Sequence, residues 1–119
     1  MIRWAAVLVL LAAFSGVAQA QGIIAHPKPV RLRQLAGTVF DTSGATIPYA
    51  AIELLSAIDH HAIASTFADG YGKFFFDRRK PGETLEIRIT LKGFSTVQYT
   101  IFLRRFGGTR LHAVLPVAA

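Results

Sequence analysis

Asp69 stands in "TFADGYGKFFF" (residues 66–76), a carboxylate followed by Gly70, Gly72 and three consecutive phenylalanines. Such a stretch could serve an ion-binding loop, an active-site loop or a bend between strands. Calcium needs several oxygen ligands at alternating positions of one loop. Only Asp69 is offered here, and the next carboxylate, Asp77, lies beyond the phenylalanine run. A bend needs less. Glycines take unusual backbone angles at little cost, and an Asp side chain accepts bonds from the amides of its own turn. The bend is therefore the reading adopted, with Phe74 and Phe76 inward and Phe75 outward on the strand that follows.

The other groups that could do chemistry are His26, His60, His61 and His112. Zinc requires three or four ligands converging on one point. Side chains of adjacent residues such as His60 and His61 point to opposite faces of a strand, so the pair is expected in an exposed loop. No "G-x-S-x-G" elbow and no "H-E-x-x-H" zinc helix occurs. The chain has no cysteine, which excludes disulfides, thiolate metal sites and a Cys nucleophile. It has no asparagine either, which excludes N-glycosylation and a Lys–Asn isopeptide bond. The expectation is a chain without catalytic, cofactor-binding or metal-ligating residues that acts by binding.

Period-two alternation dominates the elements that would position these groups. In "TLEIRITLK" (84–92), Leu85, Ile87, Ile89 and Leu91 face one way while Glu86, Arg88 and Thr90 face the other. That is one buried and one wet face of a sheet. "VQYTIFLR" (97–104) repeats the pattern with Val97, Tyr99, Ile101 and Leu103 inward. Further strands are expected at 35–41, 49–57, 62–68, 73–77 and 110–116, separated by Gly, Pro and Ser turn signals. About seven short strands at this spacing, with no sustained helical period, predict an all-β sandwich. The expected core is Val39, Ile52, Leu54, Phe74, Phe76, Leu85, Ile87, Ile89, Leu91, Tyr99, Ile101, Leu103, Leu111 and Leu115.

Residues 1–20 read as an export signal. Arg3 precedes the apolar run Trp4 to Phe14, and Ala18-Gln19-Ala20 is the small-x-small pattern of a cleavage site. A bilayer-spanning helix needs about 20 apolar residues, more than this run supplies. Residues 21–34, with Pro27, Pro29 and three basic residues, read as an extended basic arm or linker, followed by a single domain over 35–117. The location expected is periplasmic or extracellular. Thirteen Lys and Arg against seven Asp and Glu give a net charge of +6, clustered at Arg31/Arg33, Arg78–Lys80 and Arg104/Arg105. Such a charge draws the chain toward anionic glycans and membrane surfaces. Export disfavours nucleic acid.

"LAGTVFDTSGATIPYAAIELLSA", "FADGYGKFFFDRRKPGETLEIRITLKGF" and "LHAVLPV" together resemble the carboxypeptidase regulatory-like domain. The residues that carry the resemblance are Gly37, Val39, Asp41, Gly44, Ala50, Ile52, Leu54, Asp69, Gly72, Phe74, Pro81, Gly82, Gly93 and Phe94. Ala68 stands where the family often has Thr, and "ETLEIRI" departs from the usual strand after the "PG" turn. The resemblance implies a seven-stranded Greek-key β-sandwich of transthyretin (prealbumin) type and an accessory, non-catalytic module. A transthyretin-like hydrolase and a structural stalk or adhesion domain are the alternatives. The hydroxyisourate hydrolase pattern closes on Tyr-Arg-Gly-Ser, where this chain reads "VLPVAA". The expected contact surface is Phe40, Tyr71, Phe75, Phe102, Arg104 and Arg105, meeting an envelope protein or an anionic glycan, with a peripheral membrane contact as a further option.

Overall fold

The computed structural model describes residues 24–118, so the export signal expected over 1–20 lies outside the described residues. Among the described residues nine strands and no helix are formed: β1 Ile24–Ala25, β2 Val30–Leu32, β3 Ala36–Phe40, β4 Ala51–Ser56, β5 Ala62–Phe67, β6 Lys73–Phe75, β7 Thr84–Thr90, β8 Thr96–Leu103 and β9 Leu111–Val114. Strands β3 to β9 are the seven expected from alternation, each within two residues of its anticipated bounds.

They form two sheets. The larger runs β1-β8-β7-β4-β5, with β2 also on β8, and the smaller runs β6-β3-β9. The chain crosses between layers repeatedly. β3 lies in the small sheet, the β4/β5 hairpin in the large one, β6 returns to the small sheet, β7/β8 forms a second large-sheet hairpin, and β9 closes the small sheet beside β3. The inward faces supply a single core that includes Val39, Ile52, Leu54, Ile87, Ile89, Ile101 and Leu115, each 2% exposed or less. Burying one such side chain is worth about 1.5–3 kcal/mol, and with no cysteine this apolar layer is what holds the fold together.

Two expectations change. Leu91 sits at the rim of the core, half-buried, because the strand ends at Thr90 and the chain turns at Gly93. The arm is extended, as its prolines suggest, but it is no free linker. β1 and β2 pair in parallel with β8, at Ile24↔Thr96 and Val30↔Ile101 to Leu32↔Leu103. Leu32 and Leu35 enter the core at 1% and 2% exposure.

The arm also seals one side of the sandwich. It covers the outer edge of β8, and Arg104 N donates to the Leu32 carbonyl at 2.9 Å. The C-terminal stretch stitches the same side: Ser95 N donates to the Pro116 carbonyl (2.8 Å) and Ala118 N to the Gly93 carbonyl (3.0 Å). On the opposite side both sheets simply end, the large one at β5 and the small one at β6. The molecule has a closed side and an open side.

Candidate interaction surface

The loop that opened the sequence question is a turn, and the chain builds it twice. In residues 41–45 and again in 69–73, an Asp Oδ1 accepts the amides two and four residues on. These are Ser43 (2.9 Å) and Ala45 (3.0 Å) for Asp41, and Tyr71 (2.8 Å) and Lys73 (2.9 Å) for Asp69. In both, the amide three residues on donates to the Asp carbonyl, and the Asp amide donates to the carbonyl four residues on, at 2.8 Å. In both, the fourth residue is a glycine in the left-handed region, Gly44 at φ 92° and Gly72 at φ 78°. A side chain at 72 would also press on the Val39 carbonyl. These bonds favour the ionised form. The Ser43 hydroxyl, then its amide neighbours, hold Asp41 below the ordinary carboxylate range, and the Lys73 and Tyr71 amides do the same for Asp69. One oxygen of Asp69 is thus committed to shaping the bend.

The histidines are dispersed. His60, at φ 61°, places Nδ1 2.5 Å from Glu86 Oε1, while His61 places its own Nδ1 2.5 Å from Asp59 Oδ1. Both rings lie in the exposed β4–β5 turn, as the adjacency argument expected. Among the described residues no three His, Asp or Glu side chains converge as a metal site would require.

The six residues expected to make one contact surface fall on different parts of the molecule. Phe40 and Phe75 share the outer face of the small sheet, since Ala36 pairs with Phe75 and Phe40 lies two pleats further along β3. Phe40 is half-buried there, stacked on His112 with ring centroids 4.2 Å apart. Phe102 points outward from β8 in the other sheet, partly covered by the Arg104 guanidinium 5.4 Å from its ring centre. Arg104 itself is spent on structure, donating to the Glu83 and Leu103 carbonyls at 3.1 and 2.9 Å. Arg105 is exposed in the loop beyond, and Tyr71 is 76% exposed at the tip of the turn before β6. A grouping of Phe75 with Phe102 on one face is therefore corrected: alternation gives inward or outward, but the outward faces of two stacked sheets look in opposite directions.

The open side gathers a different set. Phe67, 70% exposed on the outer face of the large sheet at the end of β5, and Phe75, 65% exposed on the outer face of the small sheet on β6, stand on opposite lips of a shallow groove between the two sheet ends. Lys73, Arg110 and Asp69 line it too. Arg78 and Arg79, with Asp77, line an adjoining groove that shares Thr66 and Phe75 with the first, and Arg79 is occupied by a two-pronged pair with Glu83 at 2.9 and 3.1 Å. Phe67, Lys73 and Arg110 escaped the sequence reading. A strand over 62–68 was expected, and the odd-numbered face that carries Phe67 could have been marked as outward. That β5 and β6 are both terminal strands on the same side depends on the order of strands in each sheet.

A sequence model of the family described as "Carboxypeptidase regulatory-like domain" matches residues 34–116. No curated protein matches the chain. Among solved structures it is similar to the crystal structure of catechol 1,2-dioxygenase from Pseudomonas arvilla C-1, with 12% identity and a TM-score of 0.47. That alignment covers 80% of this chain, which spans 58% of the dioxygenase chain. The family match covers the whole seven-stranded sandwich, and this chain belongs to the carboxypeptidase regulatory-like domain family.

Proposed function

We propose that this chain is an exported, non-catalytic binding module that engages a protein of the cell envelope through the open side of its sandwich. The observation that carries this reading is the groove with Phe67 and Phe75, two largely exposed aromatic rings from the end strands of different sheets. Exposed apolar surface set among polar residues is characteristic of contact sites. Of the partners the sequence leaves open, a protein is favoured over an anionic glycan. The groove has an aromatic ring on each lip, and aromatic residues are what protein interfaces enrich and bury. The signal-like residues 1–20 support a periplasmic or extracellular location.

The test is a Phe67→Ser/Phe75→Ser variant. Both rings are exposed, so each change should alter stability by no more than about 0.5 kcal/mol. Proteins co-purifying with the native chain from cell-envelope fractions should be lost with the variant, while its thermal unfolding stays near native. An identical set of co-purifying proteins would count against the open side as the contact surface. Turnover of hydroxyisourate, esters or peptides by the purified chain would overturn the non-catalytic part.

A further inference from the structure

The free edge of β5 bears on how a partner would be held. Ala68 N donates to the Ala50 carbonyl at 2.9 Å, so Ala50 and Ala68 form a hydrogen-bonded antiparallel pair. The register continues Ala51↔Phe67, Ile52↔Thr66, Glu53↔Ser65. Bonded and non-bonded pairs alternate along such a ladder, so Thr66 bonds β4 whereas Ser65 and Phe67 turn their N–H and C=O groups away from it. Among the described residues no strand lies on that side.

Nothing in the strand guards this edge. Proteins usually blunt exposed edges with charges, prolines or a covering segment. "AIASTF" contains no charged residue and no proline. The other edge of the same sheet, at β8, is covered by β1 and β2. Charge adds a third feature. With Arg79 paired to Glu83, the three cations Lys73, Arg110 and Arg78 outnumber the two carboxylates Asp69 and Asp77 along the two adjoining grooves.

We propose that β5 takes up an extended peptide segment as an added strand, a mode in which backbone bonds supply affinity and alternate side chains supply selectivity. The segment bonds Ser65 and Phe67, sets an apolar side chain between Phe67 and Phe75, and carries carboxylates toward Arg78, Lys73 and Arg110. A second copy of this chain is the poorer occupant. At a net charge of +6, pairing of two β5 strands would bring the Arg78, Lys73 and Arg110 cations of both copies to one interface.

This inference rests on the binding reading above, and the test separates the two. The ¹⁵N-labelled chain is titrated with the blocked peptide "EVTVTVE", with "KVTVTVK", and with "EVPVPVE", whose prolines cannot donate. The Ser65 and Phe67 amide signals should shift and gain protection from exchange with "EVTVTVE", while Thr66, already bonded to β4, should keep the protection it has. The Lys-ended peptide should bind about tenfold more weakly at low salt, a difference near 1.4 kcal/mol, and the proline peptide should not bind. Ser65→Pro removes an outward donor without touching the β4 ladder. It should keep the fold and lose the peptide. Should that variant unfold, the amide mapping on the native chain decides.

Unmoved Ser65 and Phe67 signals, equal affinity for the Lys-ended peptide, or a dimer whose own contact protects those amides would each overturn the proposal. If the signals stay unmoved while Phe67→Ser/Phe75→Ser still loses its envelope partner, strand addition falls and the binding reading stands.

Discussion

Asp41 and Asp69 each organise a five-residue loop by presenting one carboxylate oxygen to two backbone amides. The folded chain holds both carboxyls ionised below their ordinary value of 3.8. A group whose acidity rises on folding contributes stability that is fully present above its unfolded value and is lost as pH falls through the folded one. The melting temperature should therefore be insensitive to these loops near neutrality and should fall below about pH 4. Asp69→Asn keeps an accepting oxygen but cannot titrate, so its melting curve should lose less between pH 4 and pH 2 than that of the native chain. Thermal unfolding monitored by circular dichroism across that range checks it; equal losses would show that the Asp69 charge plays no part. The bend was legible in the sequence because the information is local, an Asp with glycines one and three residues later. The repetition of the loop at Asp41 was less so, since "DTSGA" and "DGYGK" share only the Asp and one Gly.

At the scale of elements, the core face of β7 and β8 could be read directly because each has a partner on both edges, but the other face, expected to be wet, buries Glu86 and Gln98 at 8% and 4% exposure. The arm could not be read this way. β2 is three residues long, follows Pro29, and pairs with a strand some seventy positions away, so its one buried side chain, Leu32, makes no period. The structure gives Leu32 two roles, filling the core and presenting its carbonyl to Arg104. Leu32→Ala should cost about 2–5 kcal/mol, the range for truncating a fully buried leucine. Chemical denaturation measures it. A change below about 0.5 kcal/mol, typical of surface positions, would mean the arm is dispensable to the fold.

At the scale of the whole molecule, what matters is the asymmetry between a side sewn shut by both ends of the described chain and a side left bare. No local pattern announces this. Phe67 and Phe75 are eight residues apart in the chain, on strands that do not pair with each other, and they flank one groove only because β5 and β6 each end a sheet on the same flank. The six residues singled out by sequence were separated for the same reason. Phe102 and Phe75 both point outward, but from opposite layers. Residue-resolved amide hydrogen exchange on the free protein tests this asymmetry most directly. The amides of Ser65 and Phe67 should exchange nearly as fast as an unstructured chain, while those of Leu103 and Arg104, bonded to the Glu83 and Leu32 carbonyls, should be strongly protected. Strong protection of Ser65 and Phe67 in the free monomer, or rapid exchange at Arg104, would contradict the account.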